Sequence, residues 1–138
     1  MTTAEAAIRS SRLDGLQAAS VLFVVAMLGH GADHVRQGTG RLTTEVFAGG
    51  ALIALLGFTT LVLTFTRHRR AALVAAIAGF YSALGVFVSH VLPHWSVFSD
   101  SYTNQVSADA LSWAAALFEL GAGLVLGVVA GRRLRAHA

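Results

Sequence analysis

Four long stretches of the chain carry almost no charge. Residues 15–32, 46–66 and 71–99 contain no Asp, Glu, Lys or Arg, and within residues 110–131 Glu119 is the single charged residue. A helix that crosses a bilayer needs about 20 consecutive, predominantly apolar residues. The pattern therefore predicts four membrane-spanning helices, which cover about residues 16–35, 44–66, 71–92 and 108–130.

The segments between these spans are short, and short connections make sequential helices antiparallel neighbours. We therefore predict an all-α fold, an integral membrane four-helix bundle that forms a single domain over residues 1–138. Thr43 or Thr44 is expected to cap the second helix, with Glu45 in its first turn. The longest connection, residues 93–107, carries three aromatic residues that suit the headgroup region of a bilayer: Trp95, Phe98 and Tyr102.

The composition agrees with a membrane protein and excludes several other classes. Of the 138 residues 55% are hydrophobic and 12% are charged, whereas a soluble domain has about 25% charged residues, so a soluble enzyme fold is excluded. The chain has no Cys, and thus neither disulfides nor thiolate metal ligands. All ten basic residues are Arg and lie in short clusters beside apolar segments. Such clusters are typical of topology determinants, and we expect no nucleic-acid site.

The positions of the Arg residues predict the orientation of the bundle. With four spans, both termini and the second connection lie on one side, which carries eight of the ten Arg residues: Arg9, Arg12, Arg67, Arg69, Arg70, Arg132, Arg133 and Arg135. The opposite side carries Arg41 and Arg36, and Arg36 is expected to form an ion pair with Asp33. Because cytoplasmic loops are enriched in Lys and Arg, we expect a plasma-membrane protein with both termini in the cytoplasm.

Small residues recur at helical spacing in three of the spans. They are Gly50, Ala54 and Gly57 in the second span, Ala75, Gly79, Ser82 and Ala83 in the third, and Ala115, Gly123, Gly127 and Gly131, together with Glu119, in the fourth. Helices in lipid gain nothing from burying Leu on Leu, so small residues that allow close backbone approach mark their contacts. The face of the fourth span suits packing within the bundle, against a second copy of the chain or against a partner in a membrane complex.

Four of the six His residues fall at the same end of the predicted bundle. His30 and His34 end the first span and His90 and His94 end the third, on the side that we predict to be outside. His30 and His34 lie four residues apart on one helix face, beside Asp33, and such a pair can ligate one metal ion. The doubled His-x3-His pattern also suggests an internal duplication of two helices.

We predict that this cluster binds a cofactor, and two kinds fit. A bare transition-metal ion, Zn or Cu, takes its ligands from His30, His34 and His90, with His94 and Asp33 as optional further ligands. A b-type haem takes one His from each of two helices, His30 or His34 with His90. Because Pro93 lies inside the second pair, His94 is expected to start the outer loop. A further interpretation needs no ligand, since imidazole at a membrane interface can bond to water and backbone.

Glu119 lies near the middle of the fourth span, where a carboxylate costs about 2.5–3.5 kcal/mol on insertion scales. Its position on the small-residue face predicts that it faces protein rather than lipid. In the functional interpretation it relays protons or cations, or serves as a partner for an ion bound by the His cluster. In the structural interpretation it forms a hydrogen bond across the bundle to Ser82, Thr59 or Thr60.

Three functions are compatible with these residues. The first is a small multi-pass protein that binds a metal ion or haem and acts in metal handling or electron transfer. The second is an accessory or assembly subunit of a larger membrane complex, without a cofactor of its own. The third is a proton- or cation-coupled carrier that uses Glu119, although no span is broken in mid-membrane as in many carriers. No residue set indicates catalysis, and enzymatic activity is left open.

Overall fold

The computed structural model describes residues 14–136, which are mainly helical and contain no strand. The four long helices are α1 (Gly15–Gln37), α2 (Thr44–Phe65), α3 (Ala71–Val86, continued by a π-helical turn over Phe87–Val91) and α4 (Ala110–Arg135). Each is long and apolar enough to cross a membrane. The prediction of an all-α, four-helix membrane protein is thereby confirmed. Arg9, Arg12 and His137 lie outside the described residues.

Which end of the bundle faces the cytoplasm stays a prediction, so the two ends are named here by their residues. The His end is the end at which α1 and α3 finish, with His30 and His90. The Arg end is the opposite one, with residues 67–70 after α2 and 132–135 at the end of α4.

Capping side chains determine where α1 and α2 begin. Asp14 and Gln17 form a reciprocal capping box at the start of α1, with N···O distances of 2.9 and 3.0 Å. The Thr43 side chain accepts a hydrogen bond from the backbone N–H of Val46 at 3.2 Å. The predicted cap of α2 is therefore confirmed, and Glu45 lies in its first turn.

Helix α4 begins two residues later and ends five residues later than predicted. The Asp109 carboxylate accepts two backbone N–H groups of the first turn, at 3.0 and 3.1 Å, so the helix begins at Ala110. At the other end the helix runs on to Arg135. Positive side chains in the last turn interact favourably with the negative end of the helix dipole, which explains the extension.

Helix α3 finishes in a π-helical turn just before Pro93. The backbone N–H of Leu92 donates to the carbonyl of Phe87, five residues earlier, at 3.2 Å. Leu92 itself leaves the helix with φ −70° and ψ 150°. The residue before a proline is biased away from the helical region, so this ending agrees with the sequence.

Contacts between the helix ends establish an antiparallel ring. Helices that are consecutive in the sequence pack side by side, and α4 packs against α1 to close the ring. At the Arg end, Ser20 Oγ near the start of α1 lies 3.3 Å from Thr64 Oγ1 near the end of α2. At the His end, Arg36 near the end of α1 donates to Asp109 at 2.9 and 3.1 Å, just before α4. Short connections thus produce the predicted arrangement of neighbours.

Helices α3 and α4 approach each other most closely, through glycine. A Cβ atom built at Gly79 would lie 2.5 Å from both the carbonyl oxygen of Gly123 and the amide nitrogen of Gly127. All three residues are buried, as their small-residue faces predict, whereas Gly50 of α2 is exposed. Helix α2 buries the smallest share of its surface among the four.

Replacing Gly79 with alanine is expected to destabilise the bundle. The added Cβ would meet backbone atoms of α4, which cannot move aside as a side chain can, and overpacking of this kind costs about 1–3 kcal/mol. Gly85→Ala on the same helix is the matched control, because its Cβ would meet only Ile53 Cδ1, at 3.6 Å. Thermal unfolding in detergent compares the two variants, and equal melting temperatures would contradict the close contact of α3 and α4.

Candidate functional site

Three of the four predicted His residues meet at the His end of the bundle. His30 and His34 lie one turn apart on α1, and His90 lies in the π-helical turn of α3. One ring nitrogen of each lies within 4.8 Å of the others. The ring centroids are 4.6, 4.9 and 5.1 Å apart, so the imidazoles contact one another directly. His30 and His90 are buried and His34 is partly buried. Single π turns of this kind are frequent at functional sites.

The two other predicted ligands lie differently. His94 is exposed at the start of the connection after α3 and does not belong to this group of three. Asp33 is buried, but its carboxylate accepts hydrogen bonds from Arg36 at 2.8 Å and from Gln37 at 2.6 Å. The predicted ion pair of Asp33 with Arg36 is therefore confirmed. The two His-x3-His segments differ in their surroundings, and the internal duplication stays a prediction.

Glu119 joins the His cluster to the interior of the bundle. Its Oε2 lies 2.6 Å from His30 Nδ1, and its Oε1 accepts a hydrogen bond from Ser82 Oγ at 2.8 Å. All three side chains are buried, so Glu119 faces protein as predicted. Of its other predicted partners, Thr60 is buried with a hydroxyl that makes no hydrogen bond within residues 14–136. Glu119 is thus both a hydrogen-bond partner across the bundle and a neighbour of the cluster.

Tyr102 closes the cluster from the side of the connection between α3 and α4. Its hydroxyl lies 3.1 Å from His30 Nε2, and its ring centroid lies 4.6 Å from that of His90. Burial raises the pKa of the Tyr102 hydroxyl, so the group stays protonated and donates to Nε2. With Nε2 as acceptor, His30 carries its proton on Nδ1 and donates it to Glu119. A hydrogen-bonded chain therefore runs from Tyr102 through His30 and Glu119 to Ser82.

Asp100 lies beside the other two imidazoles and accepts a hydrogen bond from His90. Its backbone carbonyl accepts a hydrogen bond from His90 Nδ1 at 3.0 Å. Because a carbonyl can only accept, neutral His90 carries its proton on Nδ1 and keeps a lone pair on Nε2. The carboxylate Oδ2 of Asp100 lies 3.6 Å from His90 Nδ1 and 3.7 Å from His34 Nδ1. His30 and His90 thus each have an oxygen acceptor behind the ring, from Glu119 and from the Asp100 carbonyl, whereas His34 lies near the Asp100 carboxylate without a hydrogen bond.

The connection between α3 and α4 folds back over the cluster. The backbone N–H of Asp100 donates to the carbonyl of Ser89 at 2.9 Å, which returns the chain to the end of α3. Trp95 and Phe98 are 54% and 51% exposed and stack on each other, as side chains in a headgroup region would be. Tyr102 is only 3% exposed. Our expectation for Tyr102 was wrong because the chain turns inward at Asp100.

Arg36 ties the last turn of α1 to the start of α4. Its guanidinium donates to Asp109 at 2.9 and 3.1 Å and to Ser112 Oγ at 3.0 Å, in addition to Asp33. The backbone N–H of Ser112 and the Arg36 guanidinium hold the pKa of the Asp109 carboxyl below its ordinary value. Asp109 therefore stays ionised and keeps this link, which positions the turn that carries His34.

Asp100 and Tyr102 were not among the site residues predicted from the sequence. Both lie in an irregular connection, where no helical period relates a position to the His cluster. One signal was available, because Asp100 is the single charged residue between Arg70 and Asp109. An isolated carboxylate near a span that ends in His indicates a partner for those His residues.

The geometry brings three buried or partly buried imidazoles together. His90 keeps a free lone pair on Nε2, whereas Nε2 of His30 accepts a hydrogen bond from the Tyr102 hydroxyl. Neutral imidazole with a free lone pair is the most frequent protein ligand for transition metals. The same groups are linked through Glu119 to Ser82 by hydrogen bonds of 2.6 and 2.8 Å. Comparison of the chain with known protein families, with curated proteins and with solved structures finds no match.

Proposed function

We propose that the protein binds a transition-metal ion, Zn or Cu, through His30, His34 and His90. The observation that carries the proposal is the convergence of the three imidazoles, with one nitrogen of each within 4.8 Å of the others. Tetrahedral coordination with metal–nitrogen bonds of about 2.0–2.1 Å needs nitrogens about 3.3 Å apart, so the three imidazoles would draw closer together around the ion.

The groups behind the imidazoles support metal binding. A metal-bound His usually donates its second N–H to a carboxylate or a backbone carbonyl, which fixes the ring and makes the ligand more basic. Glu119 takes this place for His30 at 2.6 Å, and the Asp100 carbonyl takes it for His90 at 3.0 Å. On metal binding the Tyr102 hydroxyl, which lies 3.1 Å from His30 Nε2, would give up its hydrogen bond to that nitrogen. Three imidazoles leave a fourth position for water or for this hydroxyl.

The distances favour a bare ion over a b-type haem. Two axial His residues on one haem iron place their ring centroids about 6 Å apart, with the porphyrin plane between them. The centroids of His30 and His90 are 4.9 Å apart, and His34 contacts both rings. A haem would have to separate three imidazoles that contact one another, whereas an ion would join them.

The proposed role is metal handling or electron transfer, at the surface of the plasma membrane that the Arg pattern predicts to be outside. The two other functions have less support. A carrier that uses Glu119 has less support, because both carboxylate oxygens make hydrogen bonds inside the bundle and α4 is continuous at this level. An accessory subunit without a cofactor would leave the three imidazoles and their acceptors unexplained.

Elemental analysis tests the proposal directly. Purified protein that is loaded with Zn(II) or Cu(II) and then desalted is expected to keep one ion per chain. A visible spectrum of the same sample, before loading, is expected to show no Soret band. His68→Ala, which changes a residue at the Arg end, is the control against binding at surface His and is expected to keep the same ion content.

Two results would contradict the proposal. A Soret band in the purified protein would show that the cofactor is haem and not a bare ion. If the protein contains no haem and keeps no stoichiometric ion, and a stable partner is retained in native detergent purification, the accessory-subunit function would be favoured instead.

A further inference from the structure

A large apolar cavity adjoins the His cluster. It has a volume of about 910 Å³ and lies between α1, α2 and α3 at the His end. Apolar side chains from all three helices line it, among them Met27, Leu28, Leu52, Ile53 and Leu84. Sites that hold drug-sized molecules have volumes of about 300–1,000 Å³, so the cavity is large enough for a ligand of that size.

The cavity exists because α2 diverges from α1 towards the His end. A Cβ built at Gly57 would lie 3.0 Å from Met27 Sδ, so the helices are in contact at that level. Gly50 lies two turns earlier on the same face of α2, and nothing lies within 4 Å of a Cβ built there. Gly50 and Gly31 of α1 both line the cavity and are exposed, which opens it towards the lipid.

One corner of the cavity is polar. His30, His34, His90 and Glu119 line it there. Three imidazole nitrogens make no hydrogen bond within residues 14–136: both nitrogens of His34 and Nε2 of His90. These atoms are free to bond a ligand. Because most of the remaining wall is apolar, the ligand must be lipid-soluble with one polar end.

The charges around the cavity favour a neutral polar end. Glu119 and Glu45 line it, whereas no Arg of the described part of the chain does. The nearby Arg36 is already paired with Asp33 and Asp109. A fatty acid or phosphate group would therefore face carboxylates without a compensating cation. A neutral oxygen would instead accept an imidazole N–H or donate to an imidazole lone pair.

We propose that this cavity binds a membrane quinone or quinol, with a ring oxygen at His34 and the hydrocarbon tail leaving between Gly31 and Gly50. A quinone combines a neutral ring, polar oxygens and a lipid-soluble tail, which are the properties that the cavity selects. With an ion on the three His residues, the same oxygen would lie beside the open coordination position. The proposal goes beyond the metal site and rests on the cavity, so its test uses the metal-free protein.

Trp95 lines the cavity and serves as the reporter. Trp113→Phe removes the other of the two Trp residues, which leaves the emission of Trp95 alone. Decylubiquinone added to this metal-free variant in detergent is expected to quench the emission, because a quinone bound in the cavity lies near the indole of Trp95. The quenching is expected to saturate at one quinone per chain. Decylbenzene, which has the tail without the ring oxygens, is expected not to displace the quinone.

Two variants in this background place the quinone in the cavity. Gly50→Leu fills the cavity at a distance from the His cluster, and His34→Leu removes the proposed partner of the ring oxygen. Each is expected to weaken quinone binding at least about tenfold, or 1.4 kcal/mol. Gly121→Leu on α4 is the matched control, because Gly121 does not line the cavity and nothing lies within 4 Å of its Cβ. It is expected to bind quinone like the parent.

Quenching that never saturates, or that is equal in the parent, Gly50→Leu and His34→Leu, would overturn the proposal. Complete displacement by decylbenzene would also overturn it and identify a lipid chain as the occupant. Circular dichroism shows whether each variant is folded, and His34→Leu supplies the answer if Gly50→Leu is not. Since no metal is added, a negative result here leaves the metal proposal standing, and a failure of metal binding leaves this one standing.

Discussion

Replacing His90 with alanine is expected to abolish stoichiometric metal binding and to lower the affinity for Zn(II) or Cu(II) by at least about 100-fold. The ligand atom of His90 is the best defined of the three, since the bond from Nδ1 to the Asp100 carbonyl leaves Nε2 with its lone pair. His90 is also the ligand from α3. Without it, His30 and His34 would hold the ion from a single helix. Competition with a chelator of known affinity measures the change.

His94→Ala is the matched control for His90→Ala. His94 lies four residues later, is exposed and does not belong to the group of three. The His94→Ala variant is expected to bind metal with the affinity of the parent protein, whereas His30→Ala and His34→Ala are expected to lose the ion. Melting temperatures without metal show that the variants are folded. Equal affinities of His90→Ala and His94→Ala would refute a site built on the three imidazoles.

Replacing Glu119 with leucine is expected to lower both the stability of the bundle and its affinity for metal. The His30 N–H and the Ser82 hydroxyl would each lose their acceptor in the interior, and an unsatisfied buried donor costs about 1–3 kcal/mol. Removal of the group behind a metal-bound His typically costs about 10–100-fold in affinity. Thermal unfolding without metal and chelator competition measure the two effects separately.

Glu119→Gln distinguishes hydrogen bonding from charge at this position. The amide oxygen still accepts one of the two hydrogen bonds, so the melting temperature is expected to lie between those of the parent and Glu119→Leu. Metal affinity is expected to fall, since a neutral amide makes His30 a less basic ligand. Glu45→Gln is the control, because the Glu45 side chain is exposed in the first turn of α2. If Glu119→Leu has the same melting temperature and the same metal affinity as Glu45→Gln, the role assigned to Glu119 is refuted.

The helices could be predicted because a membrane span leaves a local signal of length and missing charge. Their boundaries were predicted less well, since a cap such as Asp109 depends on one side chain and its backbone partners. The buried positions of Gly79, Gly123 and Gly127 follow from their spacing on the helix surface. The spacing of small residues also predicted a buried position for Gly50, which is wrong. The spacing along one helix does not show that α2 diverges from α1 at that level.

The site could be predicted only in part. The Arg pattern and the four spans bring four His residues to one end of the bundle, but a shared depth does not establish contact. His30 and His34 share a helix face, and the structure joins them to His90 rather than to His94. Pro93 explains the difference, because the helical path ends before it and His94 belongs to the exposed connection.

The sequence by itself determined the number of spans, the faces on which small residues lie and the end of the bundle that holds most of the His residues. These are properties of local segments, which hydrophobic length and helical period express directly. The tertiary structure decided which imidazoles meet and which oxygens lie behind them. His30 and Glu119 are 89 positions apart, and Asp100 and Tyr102 reach the cluster through the fold of an irregular connection. Contacts of this kind depend on how whole helices pack and on the path of the connections between them. A local sequence pattern predicts neither the packing nor the path.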